Sequence, residues 1–434
     1  MMRGIVFLVA IVCWTSAAYG QNCARPQDVV LAPVNIVDVE RGTVRYSRAL
    51  FLSGGRIVRE SASTRVPGSR WRRAALINGY DAYVIPGLWD MHVHALWDTS
   101  VPQPFFQMFL ANGITAVRDM GGDVDVALAT RARINACEIK GPHMWFAGPF
   151  LDGPQPVDPS LSIALSSPSD ARSAVRMLRR QRVDFIKVYS LVPADVFAAI
   201  VDEASKRGLR AAGHLPVEVP PNSPFALRMA SIEHLAIETG GYCPANNRAA
   251  CAPIFDALVR AQVAQTPTLI VRETSTQIAT DVFREPQSLQ AMPEVVRSYW
   301  RTQRQHAMSR ATKEWRAERV ISLAHARWMT GELSKRGAIV LAGTDAGTPY
   351  VIPGKSLHDE LALLVEAGLS PLEALRAATL EPARFMNRRD MGVIAPGAVA
   401  DFVLLSANPL ENIHNTRTIS GVFMGGAPVA RGTE

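Results

Sequence analysis

The sequence predicts an α/β fold, a (β/α)8 barrel with a small β-sandwich domain built from both chain ends. Through the middle of the chain, short apolar runs alternate with amphipathic helical segments, the rhythm of parallel strands joined by helices. Eight such runs fall at 84–94, 114–120, 143–150, 185–190, 210–215, 231–235, 264–271 and 339–345, the number that closes a barrel. The two ends read differently, as short strand signals separated by Gly and charged turns. With 434 residues, 48% of them hydrophobic, the chain is long enough for one barrel and a small accessory domain. A doubly wound open sheet is the rival, but no Gly-rich nucleotide loop follows the first parallel run.

In chain order, Met1-Met2-Arg3 followed by an apolar stretch and the small residues before Gln21 reads as a secretory signal peptide over 1–20. The context Gly20-Gln21-Asn22-Cys23 lacks the small residue expected before a lipidated cysteine. Export makes cysteines candidates for disulfides. Cys243 and Cys251 bracket a short loop that suits a local bridge, which leaves Cys23 with Cys137; the alternative is free buried thiols. Residues 21–85 hold Val29-Val30-Leu31, Ala49-Leu50-Phe51-Leu52 and Ile57-Val58, the N-terminal part of the β-domain. The barrel is expected over 86–390, interrupted at 273–318 by a polar helical insertion, a candidate lid over one barrel end. Residues 391–434 return to the β-domain through 400–405 and 421–424.

Metal chemistry needs ligands that converge, and in a barrel the converging positions are the C-terminal ends of the strands. In Asp90-Met91-His92-Val93-His94 the two histidines share one strand face and can grip one ion. Lys187 sits inside the apolar run Phe185-Ile186-Lys187-Val188-Tyr189, where an amine is costly to bury. His214 ends the fifth run, His234 the sixth and Asp345 the eighth. Taken singly, these could be core histidines, a snorkelling lysine and a helix cap. Five strand ends agreeing is what singles them out.

At this point the chain resembles the amidohydrolase superfamily, and within it the imidazolonepropionase-like and prolidase-like metal-dependent hydrolases. The resemblance is carried by Pro86-Gly87-Leu88-Trp89-Asp90 before the histidine pair, by residues 370–379, and by Gly392-Val393-Ile394-Ala395-Pro396-Gly397 with the run to Val403. It implies two divalent metal ions, with zinc expected. His92, His94 and Asp345 would hold the more buried ion and His214 and His234 the more exposed one, with a carboxylated Lys187 bridging them. It further implies a metal-bridging hydroxide as nucleophile and Asp345 as the proton carrier. Tyr189, two residues after Lys187, is a candidate oxyanion donor and substrate contact. His358 near the start of the last helix is a candidate substrate contact. His143 falls at the wrong strand end for chemistry. Relatives often carry a histidine in the loop after the third strand, where this chain has Gly148-Pro149-Phe150-Leu151-Asp152-Gly153-Pro154.

The expected activity is hydrolysis of an amide (peptide) bond in a dipeptide or N-acyl amino acid, in a secreted or periplasmic setting. A lactonase or organophosphate-type esterase on the same site is the alternative. A non-catalytic binding protein is disfavoured by the complete ligand set. The formal charge of +7 is scattered or on helical runs such as Arg172, Arg176, Arg179 and Arg180, with no basic patch interleaved with aromatics. A small-molecule substrate is therefore expected rather than nucleic acid. No membrane span is expected after signal cleavage, and a homo-oligomer is left open.

Overall fold

The computed structural model describes residues 28–62 and 68–429. The expected leader at 1–20, Cys13 and Cys23 lie outside them. Strands β1 (Val29–Asp38), β2 (Thr43–Ser53) and β3 (Arg56–Ser61) pair antiparallel, while β4 (Ala75–Ile77) and β5 (Tyr83–Pro86) run parallel to β1. One parallel sheet contains β6 (Leu88–Val93), β7 (Ile114–Asp119) and β8 (His143–Phe146). The other contains β9 (Phe150–Asp152), β10 (Ser162–Ala164), β11 (Ile186–Val188), β12 (Ala211–Gly213), β13 (Ser231–Glu233) and β14 (Ala264–Thr266). The chain ends on β15 (Phe402–Leu405), β16 (Ile419–Met424) and β17 (Ala427–Pro428).

Strands from both chain ends pair with one another, but not as the two facing sheets of a sandwich. They form one eight-stranded mixed sheet in the order β17-β16-β15-β5-β1-β2-β3, with β4 against β1. Alternation along β1 shows why one sheet suffices. Val29 and Leu31 pack with Phe402 and Phe423 in one apolar cluster, while Val30 and Ala32 pack with Phe51 and Trp71 in another, and a register shift after Leu31 returns Val34 and Ile36 to the first.

The run at 84–94 divides into two strands. Pro86 ends β5, and Gly87 N–H donates to Asp401 O across to the β-domain before β6 begins. A Cβ at Gly87 would lie 2.1 Å from Thr115 Oγ1, so only glycine lets β5 pass this close to β7. The run at 143–150 is likewise divided into β8 and β9, with Gly148 at φ 73° between them. Residues 339–345 make a single bridge, Val340 to Gln265, rather than a ladder, because their backbone serves several neighbours. Gln265 N–H donates to Ile339 O, Leu341 N–H to Gln265 O, Met91 N–H to Ala342 O and Ala342 N–H to Ala377 O. At the other end of the sheets, Asp184 N–H donates to Phe146 O, linking β8 to the segment that enters β11.

Helices connect the parallel strands, among them Pro102–Ala111, Val124–Asn135, Pro168–Arg180 and Ala194–Lys206. The insertion at 273–318 is largely helical: its helix Glu294–Ser309 is followed by the long helix Lys313–Lys335, which begins within it. Trp300 is fully buried and donates from Nε1 to Gly347 O at 3.0 Å, tying the insertion to the loop that follows Asp345. No helix among the described residues is long and apolar enough to cross a membrane.

Candidate metal centre

The strand ends place the predicted ligands together. His92 lies in β6 and His94 one residue beyond it; Lys187 is central in β11; His214 and His234 directly follow β12 and β13. Asp345 follows the bridging segment and its N–H donates to His92 O at 2.6 Å. His234 and Asp345 adopt left-handed backbone conformations, φ 58° and 61°, which cost side-chain-bearing residues energy and hold each side chain at the site.

The rings form a connected group, with centroids 5.4 Å apart for His92 and His94, 4.5 Å for His92 and His234, and 4.8 Å for His214 and His234. Ligand atoms of His92, His234 and Asp345 all lie within 4.8 Å of one another. Asp345 Oδ1 stands 3.4 Å from His92 Nε2 and 3.1 Å from His94 Nε2. Every histidine is oriented through Nδ1. His94 contacts Gly121 O at 2.8 Å, His214 contacts Ser190 Oγ at 2.7 Å, His234 contacts Thr268 Oγ1 at 2.6 Å and His92 contacts Glu233 Oε2 at 2.8 Å.

These donors fit metal ions. Among the described residues, His92 Nε2, His214 Nε2, Lys187 Nζ and Asp345 Oδ1 are buried with no hydrogen-bond partner, an arrangement proteins otherwise avoid. Imidazole and carboxylate are the ligand types divalent zinc accepts. Burial, reinforced by nearby Lys187, holds His92 and His214 far below the usual imidazole range, and burial lowers His234 to about 4. Burial also lowers Lys187 to about 8. For His94, burial is outweighed by Asp345 and the pKa rises; for Asp345, burial is outweighed by His94, His234 and Lys187 and the carboxyl stays below its usual range.

A cavity of about 320 Å³ opens on the cluster, lined by His94, Tyr189, His214, His234 and Asp345 at one end. Its outer wall carries Arg272, Ser275, Arg319, Ser322 and Thr348. Tyr189 is stacked between Phe150 and His214, with centroids 4.8 and 4.2 Å away. Burial raises its phenol pKa further, so it remains a proton donor. The Phe150 ring, at the start of β9, meets His94 edge-on at 5.6 Å.

His358 is not brought to the cluster. It is buried on the helix Lys355–Glu366, Nε2 against Asn112 O at 3.1 Å and Nδ1 against Thr416 Oγ1 at 3.0 Å, and it does not line the cavity. His143 pairs with Asp401 at 2.8 Å, on the side facing the β-domain. Cys243 and Cys251 are bridged, and Cys137 is also disulfide-bonded. Sequence reasoning gave no role to Glu233, Arg118, Arg272 or Arg319. Glu233 could have been noticed as a charged side chain beside His234 within an apolar strand; the arginines carry no such local signal.

A model of the Amidohydrolase family matches residues 318–429, a span that includes Asp345 and the return to the β-domain. A solved bottromycin amidohydrolase is 27% identical, with a TM-score of 0.75 over 95% of this chain and 90% of that one. The family match and this shared fold make the chain similar to the amidohydrolase superfamily. A Xaa-Pro dipeptidase solved with methionine in its active site has a TM-score of 0.73 at 19% identity, covering 93% of this chain and 99% of that one, a likeness of fold. An imidazolonepropionase of Deinococcus deserti is 40% identical over 87 residues, 20% of this chain and 22% of that protein. An adenine deaminase of Nitratidesulfovibrio vulgaris is 24% identical over 385 residues, 88% of this chain and 55% of that protein. The chain thus matches little more than half of that deaminase, and much less of the imidazolonepropionase.

Proposed function

We propose that this protein is an exported, binuclear metal-dependent hydrolase that cleaves an amide bond in a dipeptide or N-acyl amino acid. The observation that carries the reading is the convergence of unpartnered, buried ligand atoms of His92, His214, Lys187 and Asp345 at the ends of different strands. The backbone bonds linking β8 to β11, β14 to 339–342 and 342–346 to β6 support a closed eight-stranded barrel around them.

His92, His94, Asp345, His214 and His234 would hold two divalent ions, with Lys187 as a carbamate formed from its neutral amine and carbon dioxide with loss of a proton. When bound, the ions supply Lewis acidity and a water acidic enough to ionise near neutral pH. Asp345 takes the proton as water adds to the scissile carbonyl and returns it to the nitrogen as the C–N bond breaks, so that acid and amine leave. Tyr189 reaches the cavity from the aromatic stack and donates to the developing oxyanion.

The outer wall favours an anionic substrate end. Among the described lining residues its cations are Arg272 and Arg319, and Asp345 is the sole carboxylate. Arg272 is held to His234 O at 2.8 Å and to Ser322, whereas Arg319 is exposed and rests 4.8 Å over the Trp315 ring. Arg319 is therefore the side chain assigned to a substrate carboxylate.

The test is metal analysis of purified protein with initial rates on dipeptides, N-acyl amino acids, lactones, phosphotriesters and adenine. About two zinc equivalents per chain, activity lost on chelation or in His92→Ala, and preference for amides with a free carboxylate are expected. A metal-free active protein would overturn the reading. Faster turnover of lactones or phosphotriesters would move it to the esterase alternative, and ammonia release from adenine to a deaminase like the curated relatives.

A further inference from the structure

Of the four clustered histidines, three orient through neutral oxygens: Gly121 O, Ser190 Oγ and Thr268 Oγ1. His92 alone orients through a carboxylate, Glu233, at 2.8 Å, with both side chains fully buried. Behind Glu233 stands Arg118, whose side chain is 1% exposed. A buried arginine in a strand is rare enough to need a reason. Here nearly every donor it has is used. Nη2 donates to Glu233 Oε1 and Oε2 at 2.8 and 3.0 Å and lies 3.3 Å from Thr266 Oγ1. Nη1 donates to Ser231 Oγ at 2.9 Å and Nε to Met91 O at 2.7 Å. The rings of Phe185 and Phe385 lie 5.6 and 5.3 Å from its guanidinium carbon. Ser231 Oγ in turn donates to Glu233 Oε1.

We propose that Arg118 and Glu233 are positioning residues that fix the orientation of His92 and its Nδ1–H tautomer at the metal centre. Both Glu233 oxygens already accept from Arg118, and Oε1 from Ser231 as well, so the remaining contact at Oε2 is one in which His92 Nδ1–H donates. The Nε2 lone pair is then left facing Asp345, where Nε2 has no hydrogen-bond partner among the described residues. Arg118 sets its guanidinium against both Glu233 oxygens and so holds the carboxyl in place behind His92. Its bonds to Met91 in β6, to Ser231 and Glu233 in β13 and to Thr266 in β14 also fix the spacing of the strands that deliver His92 and His234. A partner behind a ligating imidazole orients the ring, and removing such a partner typically weakens metal binding about 10–100-fold.

The inference rests on the proposed metal centre, and its test separates the two. Wild-type and Glu233→Gln protein, stripped of metal, are titrated with zinc against a chromophoric chelator, and the nitrogens of His92 are read by NMR in the metal-free state. The wild type is expected to carry its proton on Nδ1, and Glu233→Gln to bind zinc about 10–100-fold more weakly. Arg118→Met strands a buried carboxylate and can fail to fold, so the double variant Arg118→Met/Glu233→Gln, which removes both charges, is measured beside it. That variant is expected to fold and to keep the weakened affinity. Wild-type affinity in Glu233→Gln, or a proton on His92 Nε2 in the wild type, would overturn the relay while leaving the metal centre standing. A wild type that binds no zinc sinks the metal centre, and the NMR result still decides the tautomer.

Discussion

Glu360 is fully buried on the helix Lys355–Glu366, where one carboxyl oxygen accepts from Ile270 N–H at 2.8 Å and the other has no partner among the described residues. Burial pushes its pKa from 4.5 up to about 8. The folded chain keeps this proton between those values and the unfolded chain does not, so the stability it lends is complete below about 4.5 and lost as pH rises through about 8. Glu360→Gln keeps the acceptor and removes the titration, so its melting temperature is expected to fall less than the wild type's between pH 5 and 8.5. Parallel curves would refute the assignment. Arg319 makes a second prediction at this scale. Arg319→Gln should raise KM for a substrate with a free carboxylate about 10-fold or more, through loss of a charge-assisted contact, and leave the corresponding neutral amide unchanged. Equal effects on both substrates would remove Arg319 from recognition. Residue type made the histidines, Lys187 and Asp345 legible, because each is costly or chemically marked at a strand end. His358 carried the same mark but answers to Asn112 and Thr416, and nothing in its local sequence distinguishes a side chain that ties a helix to its neighbours from one that meets substrate.

Elements were legible where one period dominated. The parallel strands stood out as apolar runs, yet two runs each became two strands, because hydrophobicity continues across Pro86-Gly87 and Gly148 while hydrogen bonding does not. Gly87 sits where the β-domain and the parallel sheet part, with Thr115 completely buried against it. Gly87→Ala should destabilise the protein by about 1–3 kcal/mol through overpacking, as read by chemical denaturation, and Thr115→Ala in the same chain should recover part of the loss. An unchanged midpoint would mean that β5 moves freely away from β7. The loop between Cys243 and Cys251 was legible from spacing alone. What spacing did not give is its anchor: His325 Nε2 donates to Cys243 O at 2.9 Å from the long helix Lys313–Lys335, which also bears Arg319. Cys243→Ser with Cys251→Ser should cost about 2–4 kcal/mol for so short a loop.

For the whole molecule, the ligands come from strands far apart in sequence, from His92 to Asp345, and only the folded chain brings them within reach of one ion. A metal held by them would therefore bind the native state and hardly the unfolded one. By mass action, free zinc at a thousand times its dissociation constant adds about 4 kcal/mol of stability. The stripped protein also leaves Lys187, His92 and His214 buried with unpartnered atoms, a cost that bound ions would relieve. Chelation should therefore lower the melting temperature, and zinc should restore it in proportion to the logarithm of its free concentration. Glu233→Gln should need a correspondingly higher zinc concentration for the same recovery, whereas Arg319→Gln, on the outer wall, should follow the wild-type curve. If chelation leaves the melting temperature unchanged while zinc is shown to leave the protein, the cluster is already satisfied without an ion. The unpartnered ligand atoms would then need another explanation.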